Sequence, residues 1–208
     1  EVARIVYASS SSVYGDSPSL PKVEGDEGAV LSPYALSKRM CEELTEIFAR
    51  CYGQEIIGLR YFNVYGPRQR PDGPYAAVLP RFFDAYFSGR APVIYGDGEQ
   101  SRDFTFVGDA VEANLLAAGA PASACGRSYN VAGGRRVSLN ELWRVVRELA
   151  GGGPEPEHTD PRPGDVRHSL ADLSAITEHL GYRPKVAVDD GLARTAEHFR
   201  RLSVESSS

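Results

Sequence analysis

The sequence has few cysteines and no long apolar run. Its 208 residues include three cysteines, at positions 41, 51 and 125, whose spacing matches neither a metal site nor a disulfide framework. A sparse, odd set of thiols is typical of a reducing compartment, so we expect a cytoplasmic protein. No segment approaches the roughly 20 apolar residues that cross a bilayer, and no signal peptide opens the chain. We therefore predict no membrane partner.

Concentrated positive charge is also lacking. The 23 Lys and Arg are outnumbered by 28 Asp and Glu, which gives a formal net charge of −5, and no basic run occurs. Since nucleic acids are bound through clustered Lys and Arg, we predict no nucleic-acid partner. The four histidines are scattered without ligand spacing, so we predict no metal site. A hydrophobic content of 42% is typical of a globular chain with a buried core.

Strand and helix patterns alternate along the chain. Residues 4–8 form a branched apolar run that ends in four serines, and residues 55–62 form a second, nearly continuous apolar run. Between them, Ser32 and Pro33 predict the N-cap and first position of a helix that Gly53 ends. This alternation indicates an α/β fold with a parallel, doubly wound sheet. Further strands are predicted at 92–95, 103–107 and 128–131, and helices at 77–88, 109–118, 138–150, 173–180 and 191–202.

Tyr34 and Lys38 lie four residues apart near the start of the first predicted helix, so their side chains share one face. A phenol is a poor base at neutral pH, but an ammonium about 4 Å away favours its phenolate by roughly 4 kcal/mol at an effective dielectric near 20. Tyr34 is therefore a candidate general base. A surface pair with no catalytic role is the alternative. Ser10 and Ser11, at the end of a parallel strand where ligands bind, could relay a substrate proton to Tyr34.

Three segments are recognisable together: SSSSVYG at 9–15, SPYALSK at 32–38 and LRYFNVYGP at 59–67. Their order and separation resemble the extended short-chain dehydrogenase/reductase family and, within it, the nucleotide-sugar epimerases. Segments 96–98, 102–104, 129–131 and 162–165 agree with the same family. The resemblance implies a partial Rossmann-type sheet, a smaller C-terminal substrate lobe, NAD as cofactor and a nucleotide sugar, such as a UDP-sugar, as substrate.

The resemblance also implies roles for particular residues. Ser10, Ser11, Tyr34 and Lys38 would be catalytic, with Tyr34 as the base and Lys38 holding the nicotinamide ribose. Ala8, Ser9, Ser10, Tyr34, Lys38 and Phe62 would contact the cofactor. Substrate contacts would come from Asn63, Ala77, Val78, Val93, Ile94, Tyr95, Arg102, Arg162, Asp165 and Ser169, with the two arginines on the diphosphate.

The family reaction implied is epimerisation at carbon 4 of the sugar through a 4-keto intermediate. Dehydratases of the family carry an acidic residue after the strand-end Ser or Thr, whereas this chain has Ser11, Ser12 and Val13 there. Simple epimerisation is therefore favoured over 4,6-dehydration, and decarboxylation stays an alternative that would give a product of altered mass. Ser169 stands where the epimerases have a gate residue, and its small size would admit an N-acetyl group.

The family's opening glycine-rich loop, which holds the cofactor pyrophosphate, is not found in the sequence. We interpret residues 1–66 as the C-terminal part of the NAD-binding domain, 67–203 as mainly the substrate lobe with elements returning to the sheet, and 204–208 as a frayed tail. An N-terminally truncated chain should bind NAD weakly and expose a sheet edge. An inactive nucleotide-sugar-binding remnant is the alternative.

The apolar stripe on the Tyr-Lys helix has two interpretations. Residues 44–48 include Leu44, Ile47 and Phe48 at helical spacing. By resemblance, this helix forms a homodimer contact in the full-length family members, and the stripe suits that role. The same stripe could equally be part of the core.

Overall fold

The chain is described by a computed structural model over residues 2–70, 78–161 and 166–205. Most boundaries lie within two residues of those predicted from the sequence. The strands are β1 (Arg4–Ser10), β2 (Glu55–Tyr61), β3 (Val64–Tyr65), β4 (Val93–Tyr95), β5 (Ser101–Asp103), β6 (Thr105–Phe106), β7 (Arg127–Val131), β8 (Arg136–Ser138) and β9 (Glu157–Thr159), and the helices are α1 (Pro33–Tyr52), α2 (Val78–Phe87), α3 (Val107–Gly119), α4 (Leu139–Ala150), α5 (Ser174–Leu180) and α6 (Val188–Glu205).

The main sheet is parallel, with strand order β1-β2-β7. Successive residues of a strand point to opposite faces, so Leu59 and Arg60 mark the two sides of β2. On the Leu59 side, α3 and α5 cover an apolar cluster. On the Arg60 side, α1 packs against β1 and β2. Helices on both faces confirm the predicted doubly wound α/β fold.

The residues that start and end α1 act within its first and last turns. The Ser32 hydroxyl accepts a hydrogen bond from Ala35 N, Pro33 occupies the first turn, and Gly53 ends the helix in the left-handed conformation. Ser138 likewise accepts from Glu141 N at the start of α4. These contacts confirm the predicted helix starts, because capping satisfies N–H groups that have no partner within the helix.

A second core holds the C-terminal elements together. Helices α2, α4 and α6 enclose it, with Phe82 and Trp143 meeting edge to face. Short strand pairs surround this core: β3 with β6, β4 with β9, and β5 with antiparallel β8. The predicted strand at 103–107 is wrong in its extent, because it divides between β5 and β6 and Val107 already begins α3. Strands β8 and β9, three residues each, are too short to show a periodic pattern.

The apolar stripe of α1 lies on the surface of the described chain. Leu44 is 54% exposed and Phe48 is 40% exposed, whereas the buried positions of this helix include Glu42 and Thr45. Strand β1 pairs only with β2 among the described strands. No described helix is both long enough and apolar enough to span a bilayer.

Candidate active site

The predicted Tyr-Lys pair meets the end of the first strand. The ammonium of Lys38 donates to Ala8 O at 2.8 Å and lies 5.7 Å from the centre of the Tyr34 ring. Tyr34 itself is exposed. The Lys38 ammonium therefore lies against the C-terminal half of β1 and within cation–π range of the Tyr34 ring, near the carboxyl edge of the parallel sheet where ligands bind in such folds.

The serines that follow β1 take up different positions. Ser9 is buried, and its hydroxyl donates to Glu42 Oε1 at 2.5 Å. Ser10 caps a short 3-10 turn, Ser11–Tyr14, and its oxygen accepts from Ser12 N at 3.2 Å and from Ser12 Oγ at 3.0 Å. With these bonds directed to its oxygen, the Ser10 hydroxyl keeps its proton for donation. Ser10 therefore suits contact with a substrate oxygen, whereas the Ser9 side chain faces away from the surface.

A small cleft, which we call the inner cleft, opens beside these serines. Its volume is about 300 Å³. Serine hydroxyls, an amide and two basic side chains supply most of its polar wall. The lining residues are Ser11, Ser12, Tyr14, Gly15, Lys22, Leu31, Ser32, Ala35, Asn63, Arg102, Val166 and Ser169.

A larger cleft of about 610 Å³, the outer cleft, adjoins it. Val78, Val93 and Tyr95 line the outer cleft, but Ile94 between them is buried in the core. Asn63 and Arg102 line both clefts. An amide and a guanidinium thus stand at the junction of two cavities, a suitable place for a group with several oxygens.

Asn63 and Arg102 are held by neighbouring backbone. Asn63 has a φ of 30°, in the left-handed region that asparagine tolerates, and its amide donates to Asp103 O at 2.9 Å. The Arg102 guanidinium donates to Ser101 O at 3.0 Å and to Arg167 O at 3.2 Å. These contacts fix the two side chains where the clefts meet.

Behind Arg102, the carboxylate of Asp103 is fully buried. It accepts from Gly133 N at 2.9 Å, Gly134 N at 3.1 Å and Ala171 N at 3.2 Å. Burial raises the pKa of Asp103 to about 6 even though these N–H groups favour the charged form. Asp103 therefore joins β5 to the loop after β7 and to the segment that carries Ser169.

Some predicted site residues are placed differently from the prediction, and others lie outside the residues that the structure describes. The Phe62 side chain is fully buried beside Tyr14, so a cofactor could meet only the backbone at that position. Three predicted substrate contacts, Ala77, Arg162 and Asp165, lie outside the described residues.

Sequence reasoning missed two groups of residues near the site. Lys22 is buried in the inner cleft wall, where burial lowers its pKa. Arg60 pairs with Glu42 and Glu27 behind the serines. An arginine in the middle of a buried strand was the available signal, because a buried charge requires a partner.

Comparisons with known proteins identify the family of this chain. The model of the NAD dependent epimerase/dehydratase family matches residues 1–132. The UDP-glucose 4-epimerase of Mycolicibacterium smegmatis is 39% identical over 203 residues, which are 97% of this chain and 64% of that protein. This chain therefore spans about 64% of the length of the curated relative.

Solved structures give the same result. A UDP-N-acetylglucosamine 4-epimerase from Methanobrevibacter ruminantium M1, in complex with UDP-N-acetylmuramic acid, is 38% identical with a TM-score of 0.91 over 97% of this chain and 64% of that one. A UDP-glucuronic acid 4-epimerase from Bacillus cereus, in complex with UDP-glucuronic acid and NAD, is 29% identical with a TM-score of 0.89 over 97% and 63%. The expected Rossmann-type fold is thereby confirmed, and the chain belongs to the NAD-dependent epimerase/dehydratase family.

Proposed function

We propose that this protein serves as an NAD-dependent 4-epimerase of a nucleotide sugar, a UDP-hexose that carries an N-acetyl group. The observation that carries the proposal is the junction of the two clefts at Asn63 and Arg102. Ser32 and Ala35, from the segment that carries Tyr34, line the inner cleft. A diphosphate at this junction would direct a nucleotide base into one cleft and a sugar into the other.

Each cleft suits one end of such a substrate. In the outer cleft, the partly exposed ring of Tyr95 can stack on the base. In the inner cleft, Ser11, Ser12 and Ser169 offer hydroxyls to the sugar. Arg102 can bind the diphosphate oxygens with its planar group of donors. With the diphosphate tightly held, the sugar could rotate within the inner cleft.

At the reacting carbon, this chain would move a proton. Tyr34 would take the proton of the 4-hydroxyl while Ser10 donates a hydrogen bond to that oxygen. With the hydride of carbon 4 also taken up by a bound NAD, the sugar would be a 4-keto sugar. It would present its other face after rotation, and the hydride and the proton would then return. No outside reductant is consumed, because the product is an isomer of the substrate.

NAD is the cofactor of the family, and part of this chain fits it. The Lys38 ammonium donates to Ala8 O in β1, and the exposed Tyr34 phenol lies one turn before Lys38 on α1, an arrangement that would suit the nicotinamide ribose. Ser9 and Phe62 would contribute through their backbones. When bound, NAD accepts a hydride from the sugar and later returns it. These residues would hold the nicotinamide end of the cofactor.

Two alternatives remain distinct from this proposal. A dehydratase or decarboxylase would be favoured by an extra acid at the sugar, but no Asp or Glu lines the inner cleft within the described residues. A nucleotide-sugar-binding module without turnover is the second alternative, and it would use the same two clefts. We also propose a cytoplasmic homodimer that covers the exposed α1 stripe.

The test is incubation of the purified protein with NAD and either UDP-GlcNAc or UDP-glucose, followed by separation of the isomers. Isomer formation that disappears in Tyr34→Phe supports the epimerase. A product of altered mass indicates dehydration or decarboxylation, and binding without conversion indicates the module. In Ser169→Tyr, conversion of UDP-GlcNAc should fall at least tenfold more than that of UDP-glucose, because the larger side chain fills the space for the acetamido group.

A further inference from the structure

A row of polar side chains crosses the main sheet beneath the serines. Ser9, Arg60 and Asn130 are register partners on β1, β2 and β7, and all three are buried. Glu42 of α1 lies over this row, with its side chain 5% exposed and that of Arg60 8% exposed. We propose that Glu42 and Arg60 are positioning residues that hold the Tyr-Lys helix in register with the serine end of β1. The proposal rests on the epimerase function above.

The bond between Glu42 and Arg60 has two parallel contacts. Arg60 Nε donates to Glu42 Oε1 at 2.9 Å, and Arg60 Nη2 donates to Glu42 Oε2 at 2.8 Å. Ser9 Oγ donates to the same Glu42 Oε1 at 2.5 Å. A bidentate pair fixes orientation as well as distance, and a single contact does not. Glu42 therefore ties α1 to two neighbouring strands at once.

The helix face that carries Glu42 also carries the catalytic pair. Glu42 follows Lys38 by one turn and Tyr34 by two turns, so the three side chains share a face. Lys38 contacts Ala8 O and Glu42 contacts Ser9 Oγ, which are consecutive positions of β1. The next residue is Ser10. These two adjacent contacts set the height of Tyr34 relative to Ser10 along the helix axis.

The same cluster reaches the inner cleft. Arg60 Nη1 donates to the Tyr14 hydroxyl at 3.0 Å, and that hydroxyl donates to Asn130 Oδ1 at 2.7 Å. The guanidinium lies 5.0 Å from the centre of the Tyr14 ring. Burial raises the pKa of Tyr14, so this phenol stays protonated and does not compete with Tyr34 as a base. Tyr14 thus connects the positioning pair to the cleft wall.

Stability alone does not account for this arrangement. Removing charges from water is costly, and replacing a buried ion pair with apolar residues is often neutral or stabilising. The large aliphatic side chains of α1 lie outside, while its sheet side buries a carboxylate. The Glu42–Arg60 pair adds directional contacts, which apolar packing cannot supply.

The first test compares Glu42→Gln with Glu43→Gln in the whole protein. Glu43 is the adjacent residue of α1 and pairs with Arg39 at the surface, so it is a matched control. In Glu42→Gln, Arg60 keeps Glu27 as a partner. We expect kcat to fall about ten- to a hundredfold with KM within about threefold, since small misplacements cost that much. Glu43→Gln should leave both constants unchanged.

A second variant covers the case in which Glu42→Gln does not fold. Ser9→Ala removes the hydrogen bond from β1 to Glu42 without changing any charge, and kcat should fall in this variant as well. If both variants fold, the double variant Ser9→Ala with Glu42→Gln should lose less than the product of the two single effects, because the two changes break one shared contact. A folded variant of either kind that turns over at the original kcat would overturn the proposal.

Hydrogen exchange separates this proposal from the function it rests on. Amides at Ser9, Ser10 and the first two turns of α1 should exchange faster in Glu42→Gln than in Glu43→Gln, whether or not the protein turns over a sugar. If the original protein is inactive but the two variants differ in exchange, the epimerase function is refuted and the positioning role of Glu42 is kept. An active protein without the difference refutes the positioning.

Discussion

The buried carboxyl of Asp103 should make this protein less stable as pH rises through the mildly acidic range. Burial disfavours the charged form more than the backbone N–H donors favour it, which raises the pKa of Asp103 from 3.8 to about 6. Once the chain unfolds, the carboxyl returns to its ordinary value. Between about pH 4 and 6 the folded state therefore binds more protons than the unfolded state, and the free energy of unfolding decreases as pH rises.

The size of this effect follows from the two values. The difference between about 6 and 3.8, at about 1.4 kcal/mol per pH unit, is on the order of 3 kcal/mol. This stabilising contribution is fully present below about pH 4 and lost above about pH 6. Roughly 2 kcal/mol of the change falls between pH 4.5 and 7.5, where unfolding can be measured conveniently.

The assay is urea unfolding of the original protein and of Asp103→Asn at pH 4.5, 5.5, 6.5 and 7.5. Other titrating groups are common to both proteins, so they cancel in the difference between the two free energies of unfolding. We expect the advantage of the original protein over the variant to shrink by about 2 kcal/mol across this range. Asp84→Asn, at an exposed ion pair with Arg90, is the control and should give a nearly constant difference. For Asp103→Asn, a constant or rising difference would refute the claim that burial outweighs the N–H donors.

Three further substitutions and one control test the packing and the capping of α1 by urea unfolding at neutral pH. Leu59→Ala, in the apolar cluster of the sheet, should cost about 2–5 kcal/mol, whereas exposed Leu36→Ala should cost under about 0.5 kcal/mol. Ser32→Ala removes the α1 cap and should cost about 1 kcal/mol, and an unchanged midpoint would contradict the capping role. Gly58→Ala places a Cβ against the Ser128 hydroxyl and 2.6 Å from the Tyr7 hydroxyl, so a loss of about 1–3 kcal/mol is expected; no loss would mean that both side chains move freely.

Local signals in the sequence determined much of the fold. The start and end of α1 depend on Ser32, Pro33 and Gly53, which act on N–H and C=O groups within a few residues. The run at 55–62 predicted β2 because a strand covered on both faces is apolar throughout. The motifs around Ser10, Tyr34 and Lys38 indicated the family for the same reason, since each is a short continuous segment.

Only the tertiary structure decided which residues meet across the chain. Periodicity placed Leu44 and Phe48 on one face of α1 but did not say what covers that face, and the structure leaves it exposed while burying Glu42 against Arg60. The inner cleft brings together Asn63, Arg102 and Ser169, which are far apart in sequence. Helix caps and hydrophobic periodicity arise from interactions within a turn or two of the chain. A buried ion pair and a cleft arise from contacts between strands and helices that are distant in sequence, and no local pattern specifies those contacts.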